Sequence, residues 1–200
     1  MARQLRSEQS RRQVLDAALQ LFSHQGFRST AVRAIADAAG VSTGNLYHHF
    51  PDKEAIFRTL LDEFSSIVES RRYPLTRALT TGSFPDNLEQ IGSAARDSVR
   101  QYRQYVALIY VDVIEFDGTH IRKFYADLTK RYASYVKDHD EIASRLRPGV
   151  SALSALRLTT RIFFNYFCLE ILFNVPEPFG KESTEIMREI ADILRYGILP

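Results

Sequence analysis

The chain of 200 residues is 45% apolar and 25% charged, which is ordinary for a soluble protein with a sizeable buried core. Its single cysteine, Cys168, excludes an internal disulfide and a zinc site built from several cysteines, and is typical of a reducing cytoplasm. The longest strongly apolar run, at residues 162–169, is shorter than the about 20 residues that span a bilayer, and residues 1–13 do not resemble an export signal. We therefore expect a cytoplasmic protein without a membrane segment.

Basic residues are concentrated at the front of the chain. Residues 1–53 carry seven Lys or Arg and four Asp or Glu, a balance of +3, whereas the remainder carries nineteen and twenty, a balance of −1. The asymmetry favours contact between the front segment and a polyanion such as nucleic acid, but ordinary solvated surfaces also differ by this much.

Helical periodicity runs through the first part of the chain, where four helices are predicted, at residues 11–25, 31–38, 43–49 and 53–72. Gly26 and Gly40 are the expected stops of the first two helices. Thr30 and Ser42 are the expected N-caps of the second and third. Pro74 is expected to end the fourth.

The remainder also has the helical period, with no strand-like alternation. Asp86 with Glu89 resembles a capping box that opens a helix continuing, with a break, to Phe116. Later helices are predicted from Ile121, over residues 151–173 and near the C-terminus. The predicted fold class is therefore all-α.

Residues 30–53 fit the sequence demands of a helix-turn-helix, in which two short helices are locked at a fixed angle. Ala36 is a small residue at the expected contact of the helices, and Gly40 follows four residues later to allow a left-handed turn. Apolar side chains that could attach the pair to the first helix are Ile35, Ala39, Val41 and Leu46.

The third predicted helix has small or hydrogen-bonding residues that burial does not require: Thr43, Gly44, Asn45, Tyr47 and His48. Such residues suit a recognition helix that reads base edges in the major groove of DNA. Arg33 could reach a phosphate or a groove edge, and Lys53 could clamp the backbone as a point charge. Each also has an ordinary explanation in packing, capping or a surface ion pair. His49 is expected to be packed and hydrogen-bonded, beside Phe50.

The run at residues 40–54, GVSTGNLYHHFPDKE, resembles the signature of the TetR family of bacterial regulators, and residues 21–36 agree with it. The resemblance covers residues 11–61. It implies an all-α protein with an N-terminal three-helix helix-turn-helix DNA-binding domain at 1–53 and a connecting helix at 53–72. Residues 73–200 would form a helical ligand-binding and dimerisation domain.

Members of that family are usually homodimeric repressors that release a palindromic DNA operator when a small molecule binds, although an activator remains possible. By motif position, the resemblance places Arg33, Thr43, Gly44 and Asn45 near bases. It places Thr30, Tyr47, His48 and Lys53 mainly at phosphates.

The predicted helix at residues 151–173 is apolar on more than one face, so we expect other helices to pack against both sides of it. With the last helix it could form a four-helix dimer interface, or it could be the central core helix of a monomer. The candidate interface residues are Phe164, Ile171, Ile186, Ile190 and Ile193.

A band of aromatic residues could line a pocket for an amphipathic small-molecule effector, although an ordinary core would use the same residues. The candidates are Tyr102, Tyr105, Ile109, Asp112, Phe116, Phe124, Tyr125, Phe163 and Phe167.

An enzyme is disfavoured because the chain lacks a Gly-x-Ser-x-Gly elbow, a phosphate-binding glycine loop and a His-Glu-x-x-His run. The five histidines have no metal-ligand spacing, so we expect no metal and no cofactor. The remaining alternative is a helical small-molecule-binding or interaction protein that does not bind DNA specifically.

Overall fold

A computed structural model of the chain describes residues 2–198, and these form helices and connecting turns without a strand. The all-α prediction is confirmed. In chain order the helices are α1 (Ala2–Gln25), α2 (Val32–Ala39), α3 (Thr43–His49), α4 (Lys53–Glu69), α5 (Pro74–Thr81), α6 (Leu88–Gln101), α7 (Arg103–Phe116), α8 (Ile121–Asp138), α9 (Glu141–Ser144), α10 (Ala152–Phe167) and α11 (Ser183–Ile198). A π-helical turn, Cys168–Leu172, extends α10.

The chain divides into two compact units, and each unit is built from two separate segments of the sequence. The first unit contains the described residues up to Ser66 together with residues 104–124, and so combines α1–α3 and most of α4 with α7. The second contains residues 67–103 and the described residues from Tyr125 onward.

The first unit is built around the predicted apolar stripe of α1, since Leu15, Ala18 and Phe22 are buried. An aromatic cluster joins three separate segments: the ring of Phe116 on α7 lies 4.6 Å from Phe27 and 5.2 Å from Phe57, between centroids. These contacts make α7 part of the core that supports α2 and α3.

The second unit packs α6 against α5, α10 and α11. Its core includes Ile91 on α6, Leu156 and Phe163 on α10, and Met187 on α11, all buried. No helix within residues 2–198 has the length and apolar character needed to cross a membrane.

Several helix ends differ from the sequence prediction. Helix α1 begins at Ala2 rather than near residue 11, although residues 4–9 are exposed and bury no apolar stripe. Pro74 does not merely stop a helix but occupies the first turn of α5, where its missing N–H costs nothing. Asp86 does not cap α6, because its carboxylate pairs with Arg145 instead.

Candidate nucleic-acid interface

The turn between α2 and α3 has the geometry that the sequence predicts. Gly40 ends α2 in the left-handed region at φ 67°, and Val41 N donates to Ala36 O at 3.0 Å. Ser42 then caps α3, because its hydroxyl oxygen accepts from Asn45 N at 3.1 Å. The three buried side chains of α2 (Ile35, Ala36 and Ala39) attach this pair of helices to the unit.

Helix α3 presents nearly all of its surface to solvent. Leu46 is its one buried residue and His49 is half-buried, whereas Thr43, Gly44, Asn45, Tyr47 and His48 are exposed. Tyr47 is 50% exposed, so it does not simply pack on the next helix. A helix that buries one leucine and displays polar side chains is suited to bind a polar surface such as a DNA groove.

Arg33 on α2 is available for such a contact. Its side chain is 87% exposed, and its nearest carboxylate, Asp37, lies 3.9 Å away in an exposed pair that constrains it little.

Lys53, at the start of α4, uses two of the N–H donors of its ammonium for hydrogen bonds within the protein. Its ammonium donates to the carbonyl oxygens of Phe27 and Thr30, at 2.8 Å each, and lies 4.1 Å from the centroid of the Phe27 ring. Burial lowers the pKa of Lys53, and the nearby charge of Glu115 opposes that shift. Since an ammonium has three N–H donors, one remains for an external acceptor.

Thr30 does not have the predicted role. It is fully buried, and its hydroxyl donates to Gly26 O at 2.7 Å. Ala31 is the N-cap of α2, without a side-chain cap. We correct both the predicted cap and the predicted phosphate contact, because the buried hydroxyl stabilises the loop between α1 and α2 instead.

Two basic side chains lie near the C-terminal end of α3: His49, the last residue of α3, and Arg11, which belongs to α1. Phe50 is buried. His49 Nε2 is buried without a hydrogen-bond partner, so the expectation of a hydrogen-bonded histidine fails for that nitrogen. Burial lowers the pKa of His49, and the charges of His48 and Arg11 lower it further. The guanidinium of Arg11 lies 5.1 Å from the centroid of Phe50, a placement that sequence reasoning missed.

Five of the nine predicted pocket residues lie in the first unit: Tyr105, Ile109, Asp112, Phe116 and Phe124. Asp112 is fully buried, 2.6 Å from His120 Nδ1, and accepts from Ile121 N at 2.9 Å. Together with the aromatic contacts of Phe116, these bonds give both side chains a role in the support of α4 and α7, and we remove them from the pocket set.

The other four predicted pocket residues lie in the second unit: Tyr102, Tyr125, Phe163 and Phe167. Phe163 and Phe167 are buried, and Tyr102 packs against Tyr73 at 5.3 Å between ring centroids. An open cleft of about 550 Å³ in this unit is lined instead by polar side chains, among them Arg96, Glu170, Glu177 and Glu182. Sequence periodicity does not mark this cleft, since it is bordered by a loop.

The apolar residues exposed on α10, the π-helical turn and α11 differ from the predicted interface set. Ile186 and Ile190 are buried in their own unit at 5% and 7% exposure, so we correct their assignment; Ile193 is 64% exposed, as an interface residue requires. Phe164 and Ile171 are half-buried. The large apolar side chains exposed along these elements are Leu158, Ile162, Leu169, Phe173, Ile193 and Tyr196.

Within residues 2–198, no group of three or more His, Cys, Asp or Glu side chains is arranged to hold a metal ion.

Comparison with known proteins identifies the N-terminal segment. Residues 14–60 match the family model described as bacterial regulatory proteins, tetR family. The A-factor receptor protein of Streptomyces griseus is 30% identical over 154 residues, which are 76% of this chain and 53% of that protein. The repressor KstR2 of Rhodococcus jostii is 50% identical over 54 residues, 27% of this chain and 26% of that protein. The chain thus spans about half or less of the length of these curated relatives.

The resemblance extends to the fold of the whole chain. The fatty acid degradation regulator FadR of Bacillus halodurans superposes with a TM-score of 0.69 at 14% identity, covering 92% of this chain and 93% of the other. At that identity the likeness shows the fold alone. The family relationship rests on the sequence match of residues 14–60, within α1–α4. The chain belongs to the TetR family of bacterial regulatory proteins.

Proposed function

We propose that the chain is a homodimeric, ligand-responsive transcriptional regulator that places α3 in the major groove of a palindromic operator. The observation that carries the proposal is the exposure of α3, which buries Leu46 and turns its polar side chains to solvent. A helix-turn-helix protein reads DNA with the N-terminal residues of its second helix, and Thr43, Gly44 and Asn45 form that end here.

The contacts fall into two classes. Thr43, Gly44 and Asn45 on α3, together with Arg33 on α2, would approach base edges. Tyr47, His48 and Lys53 would bind phosphates, which fix the register of the protein on the duplex without reading sequence. Arg11 joins the phosphate class, since it lies beside the end of α3 and is exposed.

The proposed dimer would bury the exposed apolar side chains of α10 and α11. Leu158 and Ile162 are 58% and 40% exposed on α10, and Ile193 is 64% exposed on α11. A second copy of the chain would cover these residues and present two copies of α3 to the two halves of a palindrome.

The proposed effector is an amphipathic small molecule that binds the second unit. One relative is named a receptor, the A-factor receptor protein of Streptomyces griseus, and the effector of this chain is defined here only by its chemical class. The effector would release DNA by binding better to a state of the dimer whose α3 helices do not fit the operator.

The first test is selection of genomic fragments by the purified protein, followed by titration of the best fragment at two salt concentrations. We expect a short palindrome bound by a dimer, with an affinity that falls steeply with salt because phosphate contacts release counterions. No enrichment after removal of any bound ligand by refolding would favour the alternative of a helical binding protein without specific DNA recognition.

A further inference from the structure

The loop between α1 and α2 is held by a carboxylate from a distant part of the chain. Glu115, in the last turn of α7, accepts hydrogen bonds from the backbone N–H groups of Phe27 at 2.9 Å and Arg28 at 2.6 Å. In return the Arg28 guanidinium donates to the backbone oxygen of Glu115 at 3.0 Å. Three hydrogen bonds thus fix the loop to α7.

Gly26 allows this close approach. A Cβ added at Gly26 would stand 2.5 Å from Glu115 Oε1, well inside van der Waals contact, and the backbone there has φ 85°. Any other residue at this position would adopt a strained conformation and would also displace the carboxylate.

The same loop holds Lys53 through its carbonyl groups. While Glu115 receives the N–H groups of Phe27 and Arg28, the oxygens of Phe27 and Thr30 receive the Lys53 ammonium. The buried hydroxyl of Thr30 closes the loop on Gly26 O. The peptide units between Gly26 and Thr30 therefore connect the Glu115 carboxylate to the Lys53 ammonium through hydrogen bonds at both ends. The contacts described join each of these two groups to the loop and not to each other.

We infer that Glu115 is a positioning residue of the DNA interface, which sets the Lys53 ammonium for its phosphate contact by fixing the loop between them. The inference rests on the proposed function. It explains an acidic group that simple electrostatics would disfavour, since a carboxylate close to a DNA-binding surface repels phosphates.

This opposition of signs gives a sharp test. Glu115→Gln removes one negative charge, so long-range electrostatics alone predicts tighter operator binding. Positioning predicts weaker binding, because an amide offers one acceptor oxygen in place of two and turns an NH₂ group toward an N–H donor. We expect about a tenfold loss, typical of one charge-assisted contact. We also expect the slope of log affinity against log salt to fall by about one.

A double-mutant cycle with Lys53→Ala tests the route. If Glu115 acts through Lys53, Glu115→Gln should change affinity by less than about threefold in the Lys53→Ala background. An undiminished loss in that background would overturn the inference, as would unchanged or tighter binding by Glu115→Gln alone. Glu89→Gln, at an exposed acid of α6, removes the same charge far from this loop in sequence and is the matched control.

Hydrogen exchange keeps the inference testable if Glu115→Gln folds poorly. In the unaltered protein bound to its operator, the amides of Phe27 and Arg28 should be protected, and exchange at the rate of free peptide would contradict the inference. Failure of the unaltered protein to select any DNA would instead overturn the proposed function, and the inference would fall with it.

Discussion

At the scale of single residues, the family signature contains positions that look alike in sequence and differ in the structure. Thr30 and Thr43 are both threonines near the start of a short helix. Thr43 is exposed, whereas Thr30 is buried and bonded to Gly26 O. Likewise Arg12 is bound by Asp16 and Glu63, while Arg11 lies exposed over Phe50. These distinctions depend on contacts across the unit, which residue type alone does not encode.

Comparison of alanine substitutions at Gly26 and Gly149 separates two free-energy costs: that of a left-handed backbone and that of displacing Glu115. Gly26 and Gly149 have nearly the same φ, 85° and 86°, but an added Cβ meets Glu115 at Gly26 and open space at Gly149. Alanine at either position should cost about 1 kcal/mol for the left-handed conformation. Gly26→Ala should cost more in denaturant unfolding and should also weaken operator binding. Equal costs for the two variants, with normal DNA binding by both, would show that the carboxylate moves freely.

At the scale of helices, α3 depends on its cap more than the long helices do. It has seven residues and buries one leucine, so packing stabilises it little. The hydroxyl of Ser42 satisfies the amide of Asn45, one of the N–H groups that would otherwise lack a partner.

Ser42→Ala should destabilise the protein by about 1 kcal/mol and loosen the first turn of α3, which carries Thr43 and Asn45. Operator affinity should fall because the base-reading residues lose their fixed positions. Ser151→Ala is the control, since Ser151 caps α10 by accepting from Ser154 N at 3.4 Å while that helix has many buried residues. Equal effects of the two variants on DNA binding in gel-shift titrations would contradict this explanation.

Local signals predicted the short helices α2 and α3 well, whereas the short helices α5 and α9 were not predicted. Gly40 and Ser42 act through their own backbone conformation or through a neighbour three residues away. Two of the errors arose where a distant partner decides the outcome. Asp86 looked like a capping residue but pairs with Arg145, and the pocket candidate Phe116 packs on Phe27 and Phe57. One sequence holds no sign of these partners, because they lie 59 or more residues apart.

At the scale of the whole molecule, the proposed assembly accounts for apolar surface that a single chain leaves uncovered. Ile162 and Ile193 are exposed, although α10 and α11 bury other residues in their own unit. Large exposed apolar side chains on neighbouring helices are typical of an interface with a second molecule.

Ile162→Glu combined with Ile193→Glu should convert the proposed dimer to monomers, because burial of two carboxylates in an apolar interface is costly. Sedimentation should show the change, and operator affinity should fall by roughly two to four orders of magnitude as the linkage between half-sites is lost. Val113→Glu, at an exposed apolar residue of α7 in the first unit, is the control. A double variant that remains dimeric would place the interface elsewhere.

The return of α7 to the first unit bears on how such regulators are cut and recombined. A fragment that stops at residue 66 would contain the complete helix-turn-helix yet lack Glu115 and Phe116. The amides of Phe27 and Arg28 would lose their acceptors, and the rings of Phe27 and Phe57 would lose a neighbour. A chimera that joins this helix-turn-helix to the ligand-binding domain of another protein should therefore also include residues 104–124. The unit that can be transferred consists of two separate segments of the chain.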